Sequence, residues 1–470
     1  MKRHLLSSLA ALACVASAAA QPAVEVVSDA AERESTAITV YNDDLALVKE
    51  RRRARLPAGL SRLSLREVSG KMRPETALLR AVSGSPIGLI EQNFDFDLLT
   101  PAKLLEKYVG REVSVIRVHP GTGEERRERA TVLAANGGVV LRFADRIETG
   151  VPGRIAFDTV PPNLRERPTL SVLLEAAGGA QEIELSYLTG GLSWNADYVA
   201  NMSADGRRMD LSGWVTLTNR SGASYTDATL QLVAGTVNRI RQAATPRAPQ
   251  VALQMARAQA ADVAQESLLD YHLYTFERPT SIADNQTKQL ALLSAGSIPI
   301  RREYRLQGAE HYYRDRFGQI GQKLKPAVYV EFGNAGGQLG KPLPAGVVRV
   351  YAKDGKGAAQ FVGEDRIEHT AKNETVRLKL GEAFDVTADR RQTNFRKIAD
   401  TTTESAYRIE IRNARDEAVT VRVQEPLPGD WEMIHESHRS TKESARLVSW
   451  NVDVPAGGSA ALEYTIQVRW

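Results

Sequence analysis

Apolar and polar side chains alternate along the segment around Trp214, and this alternation restricts the chain to a β-rich fold. The predicted strand has two faces, one with Leu211, Gly213, Val215 and Leu217 and the other with Trp214, Thr216 and Thr218. Residues 219–222 (NRSG) interrupt the pattern, and Asn and Gly accept the positive φ of a tight turn. Alternation resumes at Leu230, Leu232 and Ala234. The segment is therefore predicted to form a hairpin within a β-sandwich.

Short alternating runs between Gly, Pro and Asp turns continue to the end of the chain. The last run places Leu462, Tyr464, Ile466 and Val468 on one face, which predicts a buried closing strand. The predicted fold is all-β and mainly antiparallel, with several β-sandwich domains of the immunoglobulin-like type. A small barrel of the SH3 or Sm type and a few short helices complete it.

The barrel is predicted within residues of about 95–160, after one short helix. Thr100 is a suitable helix cap, Pro101 suits the first helical position, and Gly110 ends the pattern. Short strand-like runs with glycine turns follow up to Phe157. Some barrels of this type bind RNA, but the export signal described next makes RNA an unsuitable partner, and fold alone assigns no function.

Residues 1–20 read as an export signal, with Lys2 and Arg3 before an apolar core and cleavage after Ala20. The predicted location is the periplasm or the outside of the cell, and the mature chain is predicted not to span a membrane. Cys14 is the only cysteine, so the mature chain would contain no disulfide. The alternative is a lipoprotein acylated at Cys14, although residues 11–13 (ALA) fit the usual approach to such a cysteine poorly.

The charge is nearly balanced, with 61 Lys and Arg against 57 Asp and Glu and a net charge of +4. This balance indicates no polyanionic partner. The one basic cluster, residues 49–55 (KERRRAR), is interpreted as a solvated strand face. The competing interpretation is contact with phosphates of lipid or nucleic acid.

Composition and turns divide the chain into four parts. They are a signal peptide at 1–20, an N-terminal β domain at 21–185, a central β domain at 186–325 with a mobile insertion at 241–270, and a C-terminal β-sandwich at 326–470. One pattern recurs in the last two parts, namely two apolar residues on a strand face followed by Asn219, Asn334 or Asn413. Each asparagine is predicted to close its strand by bonding its own backbone.

Residue patterns that carry known chemistry are incomplete. Residues 336–341 (GGQLGK) resemble a phosphate loop, but Ala335 and Pro342 replace the residues that the loop requires. The segments 435–438 (HESH) and 364–369 (EDRIEH) are metal-site candidates that lack a third ligand. A surface loop is favoured for the first segment, and ion pairing with Arg366 is favoured for the second. Trp194, Tyr198 and Trp214 fit either a sugar-binding platform or the sandwich core, and the core is favoured.

Six blocks in the second half of the chain carry a family resemblance. They are GGLSWNADYVANM, LSGWVTLTNRSGASY, LQLVAGTVNR, LGKPLPAGVVRVY, FVGEDRIEH and LGEAFDV. The blocks are similar to the bacterial domain of unknown function 4139, which some proteins labelled mucoidy inhibitor A also carry. The resemblance covers about residues 180–470, and residues 38–82 resemble the N-terminal segment that accompanies this domain. It implies an exported all-β protein and supplies no reaction, cofactor or catalytic residue. The mucoidy label points to envelope polysaccharide, but this chain lacks the long coiled coil of such proteins.

The sequence favours a non-catalytic exported envelope protein, a scaffold or binding module for a protein or glycan partner. The alternative is a hydrolase of cell-envelope polysaccharide or peptidoglycan, with carboxylates from distant strands. No catalytic, cofactor-binding or metal-binding residue is assigned, no cofactor or nucleic-acid partner is expected, and the oligomeric state stays open. Two facing carboxyl groups in a cleft, one of them desolvated, would support the hydrolase, whereas an exposed aromatic or apolar patch would support binding.

Overall fold

The computed structural model describes residues 23–95, 97–150, 153–161, 164–235, 263–268 and 271–470. The predicted export signal, with Cys14 and Ala20, lies outside the described residues, as does most of the insertion predicted at 241–270. No helix in the described part of the chain is both long enough and apolar enough to cross a bilayer.

The chain folds into two compact units. The first contains the described residues of Met1–Thr36, Leu47–Thr189 and Ser221–Ala223. The second contains Ala37–Ala46, Gly190–Arg220 and the described residues of Ser224–Trp470. The four-part division of the sequence stays a prediction.

The first unit consists of strands, one α-helix and two short 3-10 helices, at Ala30–Glu32 and Pro74–Thr76. Its strands and helix, in chain order, are β1 (Val24–Ser28), β2 (Arg33–Tyr41), β3 (Leu45–Arg66), β4 (Leu78–Ser83), β5 (Gly88–Asp95), α1 (Pro101–Lys107), β6 (Glu112–Val118), β7 (Glu125–Ala134), β8 (Val140–Arg142), β9 (Ile147–Thr149), β10 (Arg154–Ala156) and β11 (Thr169–Thr189). The end of β2 and the start of β3 belong to the second unit. Strand β11 lies beside β3 and pairs antiparallel with both β4 and β5, while β1 pairs parallel with β3.

The predicted helix and the strands after it are present. The hydroxyl of Thr100 accepts a hydrogen bond from the Lys103 amide (3.2 Å), and Pro101 opens α1 as expected. The following strands form one antiparallel sheet in the order β10-β6-β7-β8-β9 around a core that includes Tyr108 and Phe143. The hydrogen bonding of this sheet is open between β10 and β9, so the predicted closed barrel is a half-barrel.

The basic cluster on β3 faces two environments, because side chains on a strand alternate between faces. Lys49, Arg51, Arg53 and Arg55 are exposed, as a solvated face predicts. Arg52, however, is completely buried and pairs with the buried Glu50, with 2.6 Å between Nη2 and Oε2. Arg52 also donates to the carbonyl oxygens of Ser28 (3.0 Å) and Arg66 (2.9 Å). The prediction therefore holds for the outward positions and is wrong for Arg52, whose charge is satisfied inside the unit.

The second unit also consists of strands, with one 3-10 helix at Glu310–Tyr313. Its strands are β12 (Leu192–Met202), β13 (Arg208–Asn219), β14 (Tyr225–Ala234), β15 (Val263–Leu268), β16 (Tyr271–Phe276), β17 (Thr280–Ile282), β18 (Gln286–Pro299), β19 (Arg301–Gln307), β20 (Gln319–Leu324), β21 (Ala327–Gly333), β22 (Gly346–Lys353), β23 (Ala359–Ile367), β24 (Thr375–Glu382), β25 (Val386–Ala399), β26 (Thr402–Asn413), β27 (Val419–Pro426), β28 (Asp430–Glu436), β29 (Thr441–Ser444), β30 (Leu447–Val454) and β31 (Ser459–Arg469).

The hairpin predicted for residues 211–234 is wrong, although both of its strands exist. Strand β13 lies in a sheet of order β18-β13-β12-β22-β23, whereas β14 pairs with β2, β16 and β17. The rings of Trp194 on β12 and Tyr274 on β16 lie 6.4 Å apart, so the two sheets face each other. Each strand has one apolar face, and placing them in facing sheets buries both faces in one core, which a flat hairpin would not do.

The last part of the second unit is a sandwich of two sheets. Their orders are β24-β21-β19-β27-β30-β29 and β20-β25-β26-β31-β28. The closing strand β31 lies between β26 and β28, and Leu462, Ile466 and Val468 are completely buried, as predicted. Across both units most strand pairs are antiparallel, and the parallel pairs include β1–β3, β2–β14, β12–β22 and β19–β27. The all-β, mainly antiparallel class is confirmed.

The recurring asparagines are buried strand ends with a shared role. Asn219 and Asn334 are 0% exposed and Asn413 is 2% exposed. Their side-chain amides donate to carbonyl oxygens further along the chain, from Asn219 to Ala283 (3.0 Å), from Asn334 to Lys341 (2.8 Å) and from Asn413 to Glu417 (2.8 Å). Each asparagine therefore holds a later loop in place, which extends the predicted role of closing its own strand.

Candidate functional site

A polar cleft of about 1040 Å³ opens in the second unit. It is formed by the turn between β12 and β13, the start of β19, and the turn between β26 and β27. Its arginines are Arg207, Arg301, Arg302, Arg415 and Arg422. The volume lies at the upper end of the range of about 300–1000 Å³ that ligand sites span.

Arg302 and Arg415 meet at one carboxylate in this cleft. Oε1 of Glu417 lies 3.6 Å from Nη1 of Arg302 and also accepts a hydrogen bond from Nη2 of Arg415. The Glu417 side chain is 62% exposed, so solvent reaches the pair. Burial lowers the pKa of Arg415, but the hydrogen bond to Glu417 and the charges of Glu417, Tyr304 and Asp385 together outweigh burial, and the net pKa shift is upward. The two guanidinium groups carry one more positive charge than Glu417 alone neutralises, while Asp385 and Asp416 add negative charge to the cleft wall.

Asn413 fixes the turn that presents Arg415 and Glu417. Its Nδ2 donates to the Glu417 carbonyl oxygen (2.8 Å), and its Oδ1 accepts from the Arg415 amide (3.0 Å). The same Nδ2 donates to the Pro455 carbonyl oxygen (3.0 Å), which ties the turn to the end of β30. Because Asn413 is nearly completely buried, the backbone on which both charges stand is held from inside.

The opposite side of the Arg302 guanidinium is closed by backbone. Gly206 lies in the turn after β12 with φ +64, and a Cβ there would overlap Nη2 of Arg302. Glycine therefore serves two purposes at this position, since it accepts the left-handed conformation and leaves space for the guanidinium.

A ladder of alternating charges crosses the neighbouring sheet face. It runs from Arg377 through Glu331, Arg301, Glu303 and Arg422 to Glu443. Glu303 also accepts from Nε of Arg305 (2.9 Å), and Glu303 and Glu331 are each 7% exposed. Burial raises the pKa of Glu331, but the hydrogen bonds and the positive charges of Arg301 and Arg377 together outweigh burial, and the net pKa shift is downward. Glu331 is therefore ionised at neutral pH and unsuited to donate a proton.

Glu425 is a desolvated carboxyl group, and it lies outside the cleft. Burial raises its pKa, and Arg390 and the Tyr313 hydroxyl offset part of that effect. Its side chain is completely buried in the core of the last sandwich, where Tyr313 donates to Oε2 (2.9 Å). A group sealed in this way contacts no substrate.

The segment 435–438 does not form a cluster of free ligands. His435 is exposed on β28, and Nδ1 of His438 bonds the Ser437 hydroxyl (2.9 Å). Glu436 accepts from the indole of Trp450 (3.0 Å). Among the described residues, no three His, Cys, Asp or Glu side chains are grouped so that they would hold a metal ion together.

The segment 364–369 joins neighbouring strands. Glu364 pairs with Arg349 on β22 (3.3 Å), so the ion pair expected with Arg366 is replaced by one across the sheet. Asp365 accepts from the Lys379 amide (2.7 Å), and Nδ1 of His369 accepts from the Ala345 amide (3.1 Å).

The loop at 335–342 is likewise occupied by structural bonds. Asn334 donates to the Lys341 carbonyl oxygen (2.8 Å) and accepts from the Gly340 amide (3.2 Å). The Tyr274 hydroxyl donates to the Pro342 carbonyl oxygen (3.0 Å). A phosphate loop needs free backbone amides, and the Gly340 amide is already bonded.

The three aromatic residues of the hypothetical sugar platform lie on two faces. Trp194 and Tyr198 are completely buried, as the core interpretation predicted, whereas Trp214 is half-buried on the opposite face of the same sheet. Tyr351 and the exposed Phe361 also contact each other on that outer side, with 5.7 Å between ring centres. The three residues therefore do not form a platform. Side chains alternate between the two faces of a sheet, and the Trp214 ring lies on the face opposite to Trp194 and Tyr198.

The cleft arginines were not singled out in the sequence. They are spread over more than 200 positions of the chain, from Arg207 to Arg422, and no local pattern links them. The recurring asparagine was the one available signal, because it marked the strand end at Asn413 from which the turn departs.

The cleft lies within a recognised protein family region. The family model with the description Domain of unknown function (DUF4139) matches residues 183–470, which include every residue that lines the cleft. No curated protein matches the chain.

Proposed function

Since the chain belongs to the family described as Domain of unknown function (DUF4139), whose description assigns no reaction, we propose a function from the cleft itself. The protein is a non-catalytic binding module of the cell envelope, and the arginine-lined cleft is where it takes a protein or glycan partner.

The observation that carries this proposal is the convergence of Arg302 and Arg415 on one solvent-accessible carboxylate. A guanidinium group keeps its charge at all physiological pH values, so it is a poor proton donor or acceptor. Its planar fork is well suited to hold a carboxylate or phosphate. Such a pair of side chains favours recognition over acid–base chemistry.

The hydrolase alternative requires two carboxyl groups on either side of the scissile bond, one with a raised pKa. Glu303 and Glu331 are shielded by arginines, and the pKa of Glu331 is shifted downward. Glu425 has the raised pKa but is sealed in the core. These placements support binding over hydrolysis.

The envelope location rests on the export signal at residues 1–20. Fractionation of cells and mass spectrometry of the mature N-terminus test it. A mature chain that begins at Gln21 supports soluble export, an acylated Cys14 supports the lipoprotein alternative, and an uncleaved cytoplasmic chain contradicts the proposed location.

The binding function is tested by retention of partners from a periplasmic extract. The immobilised mature chain is compared with the double variant Arg302→Gln/Arg415→Gln and with Arg408→Gln, whose ion pair with Glu463 lies outside the cleft. We expect the wild type and Arg408→Gln to retain the same protein or glycan and the double variant to lose it. Equal retention by all three, or none by the wild type, contradicts the proposal. Release of soluble fragments from envelope polymers by the pure protein supports the hydrolase.

A further inference from the structure

We propose that the cleft binds a peptide segment through a carboxylate of that peptide, at the position between Arg302 and Arg415 that the Glu417 carboxylate takes. This inference rests on the binding function proposed above and adds the chemical class of the partner. It makes Glu417 a competitor that the peptide displaces.

The first step of the argument is that Glu417 is easily displaced. It stands on the turn between β26 and β27, its side chain is 62% exposed, and its contact with Arg302 is long, at 3.6 Å. Exposed ion pairs of this kind contribute little, because water screens the charges and both side chains lose freedom in forming the pair. An incoming carboxylate therefore has little to overcome in replacing it.

The second step is that the two arginines have donors to spare. Each guanidinium has five N–H donors, and one carboxylate oxygen of Glu417 serves both. A peptide carboxylate that replaces Glu417 and presents both of its oxygens in the plane of the guanidinium groups would use donors that the single oxygen of Glu417 leaves open.

The third step selects a peptide over an acidic glycan. Asp385 and Asp416 also line the cleft, and neither forms an ion pair with a described residue. The two aspartates would repel an acidic glycan, which carries a carboxylate on every sugar unit. They would attract a cationic side chain that follows the bound carboxylate in a peptide. Sugar rings also prefer exposed aromatic faces, whereas Tyr304, the aromatic residue among the described residues that line the cleft, is 6% exposed.

Fluorescence anisotropy with the full mature chain tests the inference. The probes are a labelled octapeptide of alternating Asp and Lys separated by Gly, the same peptide with Asn in place of Asp, and labelled oligogalacturonate. We expect the Asp peptide to bind at least about tenfold more tightly than the Asn peptide, since a carboxylate on arginine adds a charge-assisted bond. Oligogalacturonate is expected to bind more weakly than the Asp peptide.

Two opposite substitution effects identify the position. Glu417→Gln removes the competitor and is expected to strengthen binding of the Asp peptide by about threefold to tenfold, whereas Arg302→Gln and Arg415→Gln each weaken it about tenfold. The matched controls are Glu463→Gln and Arg408→Gln, an exposed ion pair outside the cleft, and they are expected to change nothing. Thermal unfolding of every variant verifies that it is folded.

Weaker or unchanged binding after Glu417→Gln would overturn the inference, as would tighter binding of oligogalacturonate than of the Asp peptide. The outcome of this binding experiment can be distinguished from the outcome of the partner-retention experiment that tests the proposed function. If the extract yields a glycan that the cleft variant loses, the binding function stands and the peptide inference fails. If the extract yields no partner and no probe binds, both fail.

Discussion

Arg390 and Glu425 form an ion pair inside the core of the last sandwich, with 2.7 Å between Nη2 and Oε1 and side chains that are 1% and 0% exposed. The Tyr313 hydroxyl donates to Oε2 of Glu425 (2.9 Å) and lies 3.1 Å from the Tyr464 hydroxyl. Tyr464 is stacked against Trp450, with 4.6 Å between ring centres. The pair is therefore enclosed by aromatic rings and contributes to the fold, not to the cleft.

Glu425→Gln is expected to destabilise the protein by about 3–5 kcal/mol, because it leaves the buried Arg390 charge without compensation. The measurement is the free energy of unfolding from urea denaturation followed by tyrosine and tryptophan fluorescence. The double variant Arg390→Met/Glu425→Leu removes both charges and is expected to recover most of that loss. A double variant as unstable as Glu425→Gln would show that packing, not the lone charge, causes the loss.

Gly308→Ala is expected to cost about 1–3 kcal/mol or more, because the added Cβ would overlap the Glu425 carboxylate. The control is Gly333→Ala, where a Cβ would contact nothing within 4 Å, and we expect its unfolding free energy to stay within about 0.5 kcal/mol of wild type. Equal stability of the two variants would contradict the close approach of the Gly308 backbone to this carboxylate.

Glu331 is expected to make the stability of the protein depend on pH. Its pKa lies below the ordinary value of 4.5, so its ion pairs stabilise the folded state above pH 4.5, and this contribution is lost as the pH falls through the lowered pKa. Glu331→Gln should therefore cost about 2 kcal/mol at pH 7, from lost bonds to arginine, and much less at pH 3. Urea denaturation at both pH values measures the difference. A loss of equal size at both would contradict the assigned direction.

Asn413→Ala is expected to lower both stability and partner binding, since Asn413 holds the turn that carries Arg415 and Glu417. Loss of its buried hydrogen bonds should cost about 1–3 kcal/mol. The matched control Asn334→Ala removes an equally buried asparagine from a loop outside the cleft and should cost a similar amount of stability without changing binding. Denaturation and the anisotropy titration report the two effects. Equal losses of binding in both variants would contradict a positioning role for Asn413.

The sequence correctly predicted the elements that are determined by interactions between residues close together in the chain. The period of two around Trp214 identified the buried and outer faces of β13, because a strand that is half-buried must alternate. Thr100 and Pro101 marked the start of α1, because capping satisfies backbone groups within the same turn. The family of the chain was identified from the blocks between residues 180 and 470.

Features that depend on distant contacts were not predictable in this way. Residues 219–222 suit the tight turn of a hairpin. The chain nevertheless crosses from one sheet to the facing sheet there, because this buries the apolar faces of both β13 and β14. Arg52 lies in a basic run, and its burial depends on the carbonyl oxygens of Ser28 and Arg66, from elsewhere in the chain, in addition to the nearby Glu50. The cleft needs Arg302 and Arg415 side by side, and only the parallel pairing of β19 with β27 brings their segments together.

The parallel pairing of β14 with the end of β2 makes the second unit discontinuous, since Ala37–Tyr41 supplies the strand that lies beside Thr229–Val233. A polypeptide that begins at residue 183, where the family match starts, would therefore lack β2, which is an internal strand of this sheet. The unpaired edge of β14 would then be exposed to neighbouring molecules. The pairing also slows folding, because its partners lie about 190 positions apart in the sequence and such a non-local contact costs more chain entropy to form.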